Sequence, residues 1–167
     1  YALILNPDAT LHDAALENFA AVVGRDVGKD VREHPRCGAA GGLGAGLIAF
    51  TRGELRSGID MVCEVLGFDD HLAEADLVIT GEGRADRSTI FDKAPVGVAR
   101  RAIAKGVPTV LLAGGLGPGY QELYQHGIAG IVTISDRPMN FPQSLRRTQE
   151  LLEGAAERTI RLMKVWV

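Results

Sequence analysis

The chain has 167 residues, of which 46% are hydrophobic and 23% are charged, a composition typical of a globular domain with its own core. A net charge of -3 at pH 7 excludes the strongly basic surface that nucleic-acid binding requires, so no nucleic-acid partner is expected. No apolar run approaches the roughly 20 residues that span a bilayer, and no secretory signal opens the chain, so no membrane partner is expected either.

The first 75 residues predict helices separated by loops and are rich in glycine. Apolar residues recur on one face from Leu11 to Val23, where Gly24 is expected to stop the helix. The remaining predicted helical segments in this part are Gly38–Phe50, Ser57–Leu66 and one or two turns over Asp69–Ala75.

The pattern changes after residue 75, where short apolar strands alternate with helices. The predicted strands are Leu77–Thr80, Thr109–Ala113 and Ile128–Ser135, and the predicted helices are Pro95–Lys105, Tyr120–His126 and Gln143–Lys164. This order predicts an α/β fold in which helices cover both faces of a parallel sheet, a three-layer arrangement of the Rossmann or flavodoxin kind. We therefore expect one α/β unit over 1–167, with a helical, glycine-rich segment at 1–75 and parallel βα units at 76–167. Because three strands make a small sheet, either Tyr1–Leu5 or sequence outside this chain should add another.

The loop after the first predicted strand carries the densest set of charged side chains. Parallel sheets bind ligands beyond the carboxyl ends of their strands, which is where Glu82, Arg84 and Asp86 fall, with Lys93 shortly after them. Phosphoryl transfer uses cations for the phosphate oxygens, a carboxylate for Mg²⁺ and a group that orients the acceptor hydroxyl, and this loop offers all three. The alternative is a solvated loop whose glycines, Gly81 and Gly83, serve only the turn.

Two further glycine-rich segments suggest a site for an anion or a nucleotide. The N–H groups of Gly38, Gly41 and Gly42 could cradle an anion, although a helix packed closely on its neighbour explains the same residues. In the loop Gly114–Gly119, Gly115 and Gly117 give an incomplete dinucleotide fingerprint, because Tyr120 stands where the third glycine belongs, and turn glycines explain the loop as well. A nucleotide- or dinucleotide-binding module without kinase chemistry is therefore a second hypothesis.

Several motifs in order resemble those of the bacterial type I glycerate kinases, from about Leu16 to the C-terminus. They are the run Ala75–Arg84 with Asp86, Thr89 and Lys93–Ala99; Pro35 followed by Gly38–Gly44; Leu55 with Gly58–Asp60; and Ala113–Gly114 with Leu116–Gly117. The chain departs from the family pattern at Ser88, where Gln is usual, at Asp92, where Gly is usual, and at Arg36–Cys37, where Gly-Ala is usual.

This resemblance implies phosphoryl transfer from ATP, with Mg²⁺, to a hydroxyl of D-glycerate in the cytoplasm. It implies a two-domain enzyme of which this chain is the C-terminal portion, so the N-terminal portion is an expected partner and a homodimer remains open. The implied catalytic residues are Asp86, Glu82, Lys93 and Arg84, with Asp86 as the metal ligand and Glu82 as the competing carboxylate. The implied nucleotide-binding residues are Gly81, Gly83, Gly38, Gly41, Gly42, Gly114 and Gly115. A non-catalytic remnant is the third hypothesis, because Tyr1 is not an initiator methionine and family members are much longer.

Overall fold

The structure is a computed structural model that describes residues 9–91 and 93–165. The chain divides into two compact units, Tyr1–Arg56 and Ser57–Val167, and each is described by itself below. The helical segment predicted over 1–75 is thus shared between both units. The strand suggested at Tyr1–Leu5 lies outside the described residues.

Two helices make up the described part of the first unit, α1 (Ala9–Val27) and α2 (Ala39–Phe50). The expectation that Gly24 stops α1 is wrong, because the helix continues to Val27 and ends before Gly28, whose φ of +72° is left-handed. Apolar side chains from both helices and their connection form the unit's core: Ala20, Val23, Val31, Cys37, Ala45 and Ala49.

The start of α2 is irregular. Ala40, Gly41 and Gly42 have left-handed backbone conformations, with φ values of 52°, 67° and 85°. A regular helix follows only over 43–50. Two of these three residues are glycines, which adopt positive φ without the strain that a Cβ atom causes, so the glycine excess of this segment has a local structural explanation.

In the second unit, three parallel strands form a sheet in the order β1 (Val78–Glu82), β2 (Thr109–Ala113) and β3 (Ile128–Thr133). The predicted parallel α/β arrangement is confirmed. β1 runs two residues further than predicted, because Gly81 and Glu82 pair with Leu112 and Ala113 of β2. Glu82 is therefore held on the sheet rather than in the following loop.

Helices cover both faces of this sheet, as predicted. The helices of this unit are α3 (Gly58–Val65), α4 (Phe68–Leu72), α5 (Ala94–Ala104), α6 (Phe141–Arg146) and α7 (Thr148–Met163), with 3-10 helices at Arg87–Ile90 and Tyr120–His126. Of these, α5 and α7 pack directly on the strands, whereas α3 packs on α4 and α5, and α6 packs on α7. Successive strand residues face opposite sides, so Leu111 packs in a core with α5 whereas Leu112 packs with Leu151 of α7. Burying one such leucine contributes about 1.5–3 kcal/mol. None of the described helices is long and apolar enough to cross a membrane.

The prediction of one long helix over Gln143–Lys164 is wrong, because the segment contains two helices that meet at Arg147. α6 begins earlier, after Asn140, whose side chain accepts a hydrogen bond from Gln143 N at 3.0 Å in a capping box. At Arg147 the backbone leaves the helical region, with ψ at 12°. Its guanidinium forms ion pairs with Asp136 at 2.8 Å and Glu150 at 2.6 Å.

Candidate functional site at the carboxyl edge of the sheet

The loops that follow β1 and β2 continue the parallel pairing beyond the sheet. Gly114 N donates to Glu82 O at 3.0 Å, Ala85 N donates to Gly115 O at 3.0 Å, and Gly117 N donates to Ala85 O at 2.8 Å. The backbones approach so closely that a Cβ atom on Gly114 would lie 2.5 Å from Gly83 O. We call this close approach of Gly114 to Gly83 the crossing, and it requires that residue 114 has no side chain. Backbone hydrogen bonds fix the two loops to each other.

Glu82, the last residue of β1, is held by two donors. Its Oε1 accepts hydrogen bonds from Thr89 Oγ1 at 3.1 Å and from Lys93 Nζ at 3.0 Å. Only 13% of its side-chain surface is exposed. Its Oε2 is buried and has no hydrogen-bond partner among the described residues. A buried carboxylate oxygen without a partner costs free energy, and such groups are found where a ligand or an ion completes the site.

Asp86 lies four residues further on, directly before the 3-10 helix at Arg87–Ile90, and its side chain caps that helix. Its Oδ1 accepts from Ser88 N at 2.8 Å and from Ser88 Oγ at 2.6 Å. The pKa of Asp86 lies below its ordinary value, mainly because the Ser88 hydroxyl donates to the carboxylate. Partial burial acts to raise this pKa, whereas Ser88 N–H and the charges of Lys93 and Arg84 lower it further. Asp86 is therefore ionised at neutral pH and is better suited to binding a cation than to accepting a proton.

Lys93 joins the two carboxylates. Besides its ion pair with Glu82, its ammonium donates to Ser88 Oγ at 2.9 Å, and Ser88 in turn donates to Asp86. Lys93 immediately precedes α5, so its charge lies at a helix N-terminus. Arg84 is more open, with 65% of its side chain exposed and its Nε 3.5 Å from Asp86 Oδ2. Its guanidinium remains accessible to an anion.

All four charged residues singled out from the sequence therefore meet at one edge of the sheet. Glu82 and Arg84 also line a groove of about 940 Å³ between this edge and helices α6 and α7. The remaining lining consists of glycines, apolar side chains and two hydroxyl-bearing side chains: Gly81, Gly83, Leu112, Gly114, Gly115, Leu116, Ile134, Phe141, Ser144, Leu145, Thr148 and Leu152. Four of the seven glycines chosen from the sequence thus line the same groove. The volume of this groove lies within the range of small-molecule binding sites.

The other three glycines, Gly38, Gly41 and Gly42, belong to the first unit. Gly38 lines a separate cavity of about 270 Å³ together with Leu16 and Cys37. A Cβ atom on Gly42 would lie 2.2 Å from Leu16 Cδ2, which gives this glycine a packing role. Their assignment to nucleotide binding stays a prediction.

A divalent cation would find a partial set of ligands here. No three His, Cys, Asp or Glu side chains converge on a metal position anywhere in the described part of the chain. Mg²⁺ does not need such a set, because it commonly takes one or two carboxylates and completes its shell with water and substrate phosphates. The ionised Asp86 fits that pattern, and the unpaired Oε2 of Glu82 is the competing oxygen.

Sequence reasoning gave no role to Thr89, which is completely buried and contacts both Glu82 and Asp86. It also missed the apolar wall formed by Phe141 and Leu145, because that wall depends on the separation of α6 from α7. Two sequence signals for Thr89 existed: its place in the motif that resembles the family, and its position three residues after Asp86, the spacing of a capping pair.

Comparison with known proteins gives one consistent result. The model of the glycerate kinase family matches residues 6–164. A glycerate kinase of Halalkalibacterium halodurans is 42% identical over 154 residues, which are 92% of this chain and 40% of that protein. The glycerate 2-kinase of Escherichia coli K12 is 40% identical over 122 residues, which are 73% of this chain and 32% of that protein.

A solved structure agrees. A Salmonella typhimurium LT2 protein assigned as glycerate kinase 2 superposes with a TM-score of 0.63 at 34% sequence identity, covering 96% of this chain and 41% of that one. The chain spans about 40% of the length of the first of these curated relatives. The family match over most of its residues shows that the chain belongs to the glycerate kinase family.

Proposed function

We propose that this chain forms part of an enzyme that transfers the γ-phosphoryl group of ATP to a hydroxyl of D-glycerate. The observation that carries the proposal is the meeting of Glu82, Asp86, Lys93 and Arg84 at the carboxyl edge of a parallel sheet, beside a groove of small-molecule size. Phosphoryl transfer depends on positioning and on charge stabilisation, and these residues provide both.

The roles follow from charge and exposure. Arg84 is the accessible cation and binds an anionic group, either a phosphate of ATP or the carboxylate of glycerate. Lys93 neutralises Glu82 and adds positive charge at the start of α5. Asp86, which is ionised, is the candidate ligand for Mg²⁺. The ion, when bound, neutralises charge on the transferring phosphate oxygens.

The proposal also specifies which hydroxyl of glycerate receives the phosphoryl group. The Escherichia coli relative is named a glycerate 2-kinase, which favours the 2-hydroxyl. ³¹P NMR of the product distinguishes 2-phosphoglycerate from 3-phosphoglycerate, and a product phosphorylated at the 3-position would contradict this choice. The cytoplasm, where ATP is abundant, is the proposed place of the reaction.

The test uses a parent chain, by which we mean a protein of the relatives' length that contains this sequence. Incubation with ATP, Mg²⁺ and D-glycerate should release ADP in a glycerate-dependent way. ADP release that is the same without glycerate, or ATP binding without any turnover, would contradict the proposal.

We expect the 167-residue chain by itself to show no measurable turnover. It spans about 40% of the length of its relatives, and transfer needs donor and acceptor held together in a closed site from which water is excluded. A coupled ADP assay at high protein concentration measures this, with the parent chain as positive control. Steady glycerate-dependent turnover by the short chain would refute the expectation.

A further inference from the structure

Thr89 occupies a special position in the site. Its side chain is completely buried. Its Oγ1 lies 3.2 Å from Asp86 N and 3.1 Å from Glu82 Oε1. It is thus the one side chain among the described residues that hydrogen-bonds both to Glu82 and to the backbone of the Asp86 cap.

The direction of these two hydrogen bonds is fixed. The Asp86 N–H can only donate, so Thr89 Oγ1 must accept from it. A threonine hydroxyl has a single proton, and Glu82 Oε1 is the acceptor within reach. The helix cap therefore orients the Thr89 hydroxyl, and the hydroxyl proton points at one particular oxygen of Glu82.

The consequence is a difference between the two oxygens of Glu82. Oε1 takes hydrogen bonds from Thr89 and Lys93, whereas Oε2 keeps its full accepting capacity. Lys93 alone would hold this arrangement loosely, because 44% of its long side chain is exposed and Ser88 also binds its ammonium. Thr89 is branched and buried, so few alternative rotamers are open to it.

We propose that Thr89 is a positioning residue that fixes the Glu82 carboxylate, so that Oε2 accepts a hydrogen bond from the substrate hydroxyl that receives the phosphoryl group. The inference rests on the proposed function and deepens it. It also distinguishes the two candidate carboxylates, since Glu82 then orients the acceptor while Asp86 serves the cation and the cap.

The experiment compares Thr89→Val and Thr89→Ser in the parent chain. Valine keeps the shape and removes the hydroxyl, whereas serine restores the hydroxyl. We expect Thr89→Val to lower kcat by roughly 10- to 100-fold, the scale seen when the partner of a ligating group is lost. KM for ATP and glycerate should stay within about twofold, because the contact acts on the reacting geometry rather than on binding. Thr89→Ser should recover most of the lost kcat.

The matched control is Thr109→Val. Thr109 is also a completely buried threonine of the second unit, and its hydroxyl has no partner among the described residues. Removing an unpaired buried hydroxyl is neutral or stabilising, so this variant should keep normal kcat. If Thr89→Val does not fold, Thr89→Ala takes its place with the same expected result.

A double-mutant cycle with Glu82→Gln decides whether Thr89 acts through Glu82. We expect the effect of Thr89→Val on kcat to disappear in the Glu82→Gln background. Unchanged kcat in folded Thr89→Val, a change in KM alone, no recovery by serine, or full additivity in the cycle would each overturn the inference. A wild-type parent without glycerate-dependent turnover would instead overturn the proposed function, so the two failures are distinguishable.

Discussion

The second unit contains two clusters of charged side chains that differ in how completely their carboxylates are paired. The edge cluster comprises Glu82, Asp86, Ser88, Thr89 and Lys93 at the end of β1. The helix cluster comprises Asp60, Asp69, Arg100 and Arg101, and it ties α3 and α4 to α5. In the helix cluster, Arg101 contacts Asp60 at 3.0 Å and Asp69 at 2.8 Å, and Arg100 lies 3.6 Å from Asp60.

The helix cluster matches two acids with two arginines, and 18% of the Arg101 side chain is exposed. The edge cluster keeps Glu82 Oε2 buried without a partner in the described part of the chain. A cluster in which every charge has a partner within the protein stabilises the fold. A cluster that contains a buried acceptor without a partner is typical of a site that a bound ligand or ion completes. Mutations should therefore affect stability in the helix cluster and turnover in the edge cluster.

The largest effect is expected from Asp86→Asn in the parent chain. The change removes the charge, and kcat should fall by ~10²-fold or more, the scale of losing a charged catalytic group. Asparagine caps helices as well as aspartate does, so the melting temperature should stay close to that of the wild type. Steady-state kinetics and a thermal melt measure both quantities. Near-normal kcat would remove Asp86 from the mechanism and leave Glu82 as the acid to test.

A smaller effect, on stability alone, is expected from Arg101→Met. Methionine keeps much of the apolar stem but leaves Asp60 and Asp69 without their main partner, so the melting temperature should fall by a few degrees while kcat per folded molecule stays unchanged.

The matched control for this variant is Arg161→Met, because Arg161 also forms an ion pair, with Glu157, but is 75% exposed. Exposed pairs contribute little, so its melting temperature should not change. A loss of kcat in folded Arg101→Met would contradict the separation between the two clusters.

The smallest effect concerns acid stability. Burial acts to raise the pKa of Asp60, but hydrogen bonds from Arg101 and Ser57 and the charges of both arginines outweigh it, so this pKa lies below its ordinary value. The folded state thus binds this proton less tightly than the unfolded state does. The resulting stabilisation is present above the unfolded pKa of about 4 and is lost as the pH falls through the lowered folded value.

Urea unfolding of wild type and Arg101→Met at neutral and acidic pH measures this contribution. The difference in midpoint between the two proteins should shrink as the pH falls below about 4. A difference that is constant with pH would show that Arg101 stabilises by packing rather than by charge.

The sheet was predictable from sequence because its signals are local. Thr109–Ala113 is an apolar run between turn residues, and the structure has the strand at these same residues. The break at Arg147 was not predictable, because the segment contains no proline or glycine there and the guanidinium is held partly by Asp136, 11 residues earlier. Non-local contacts override helix propensity at that point.

The site was predictable as a set of charged residues but not as a geometry. The order of strand and loop placed Glu82, Asp86 and Lys93 near one another, since ligand sites lie at the carboxyl ends of parallel strands. Which carboxylate is paired depends on the fold of the loop, which brings Lys93 to Glu82 across 11 residues and buries Thr89 between them. For the glycines, sequence could not distinguish a close backbone crossing, as at Gly114, from open space, as at Gly115.

The crossing of Gly114 over Gly83 also has an evolutionary consequence. A side chain at Gly114 would collide with a main-chain oxygen, which no change of side chain at Gly83 can move aside. Divergence at this point therefore requires a shift of the whole loop rather than a single compensating substitution. We therefore expect the two loops to change together, and single substitutions in this part of the protein to be tolerated only at side chains that lie outside the crossing.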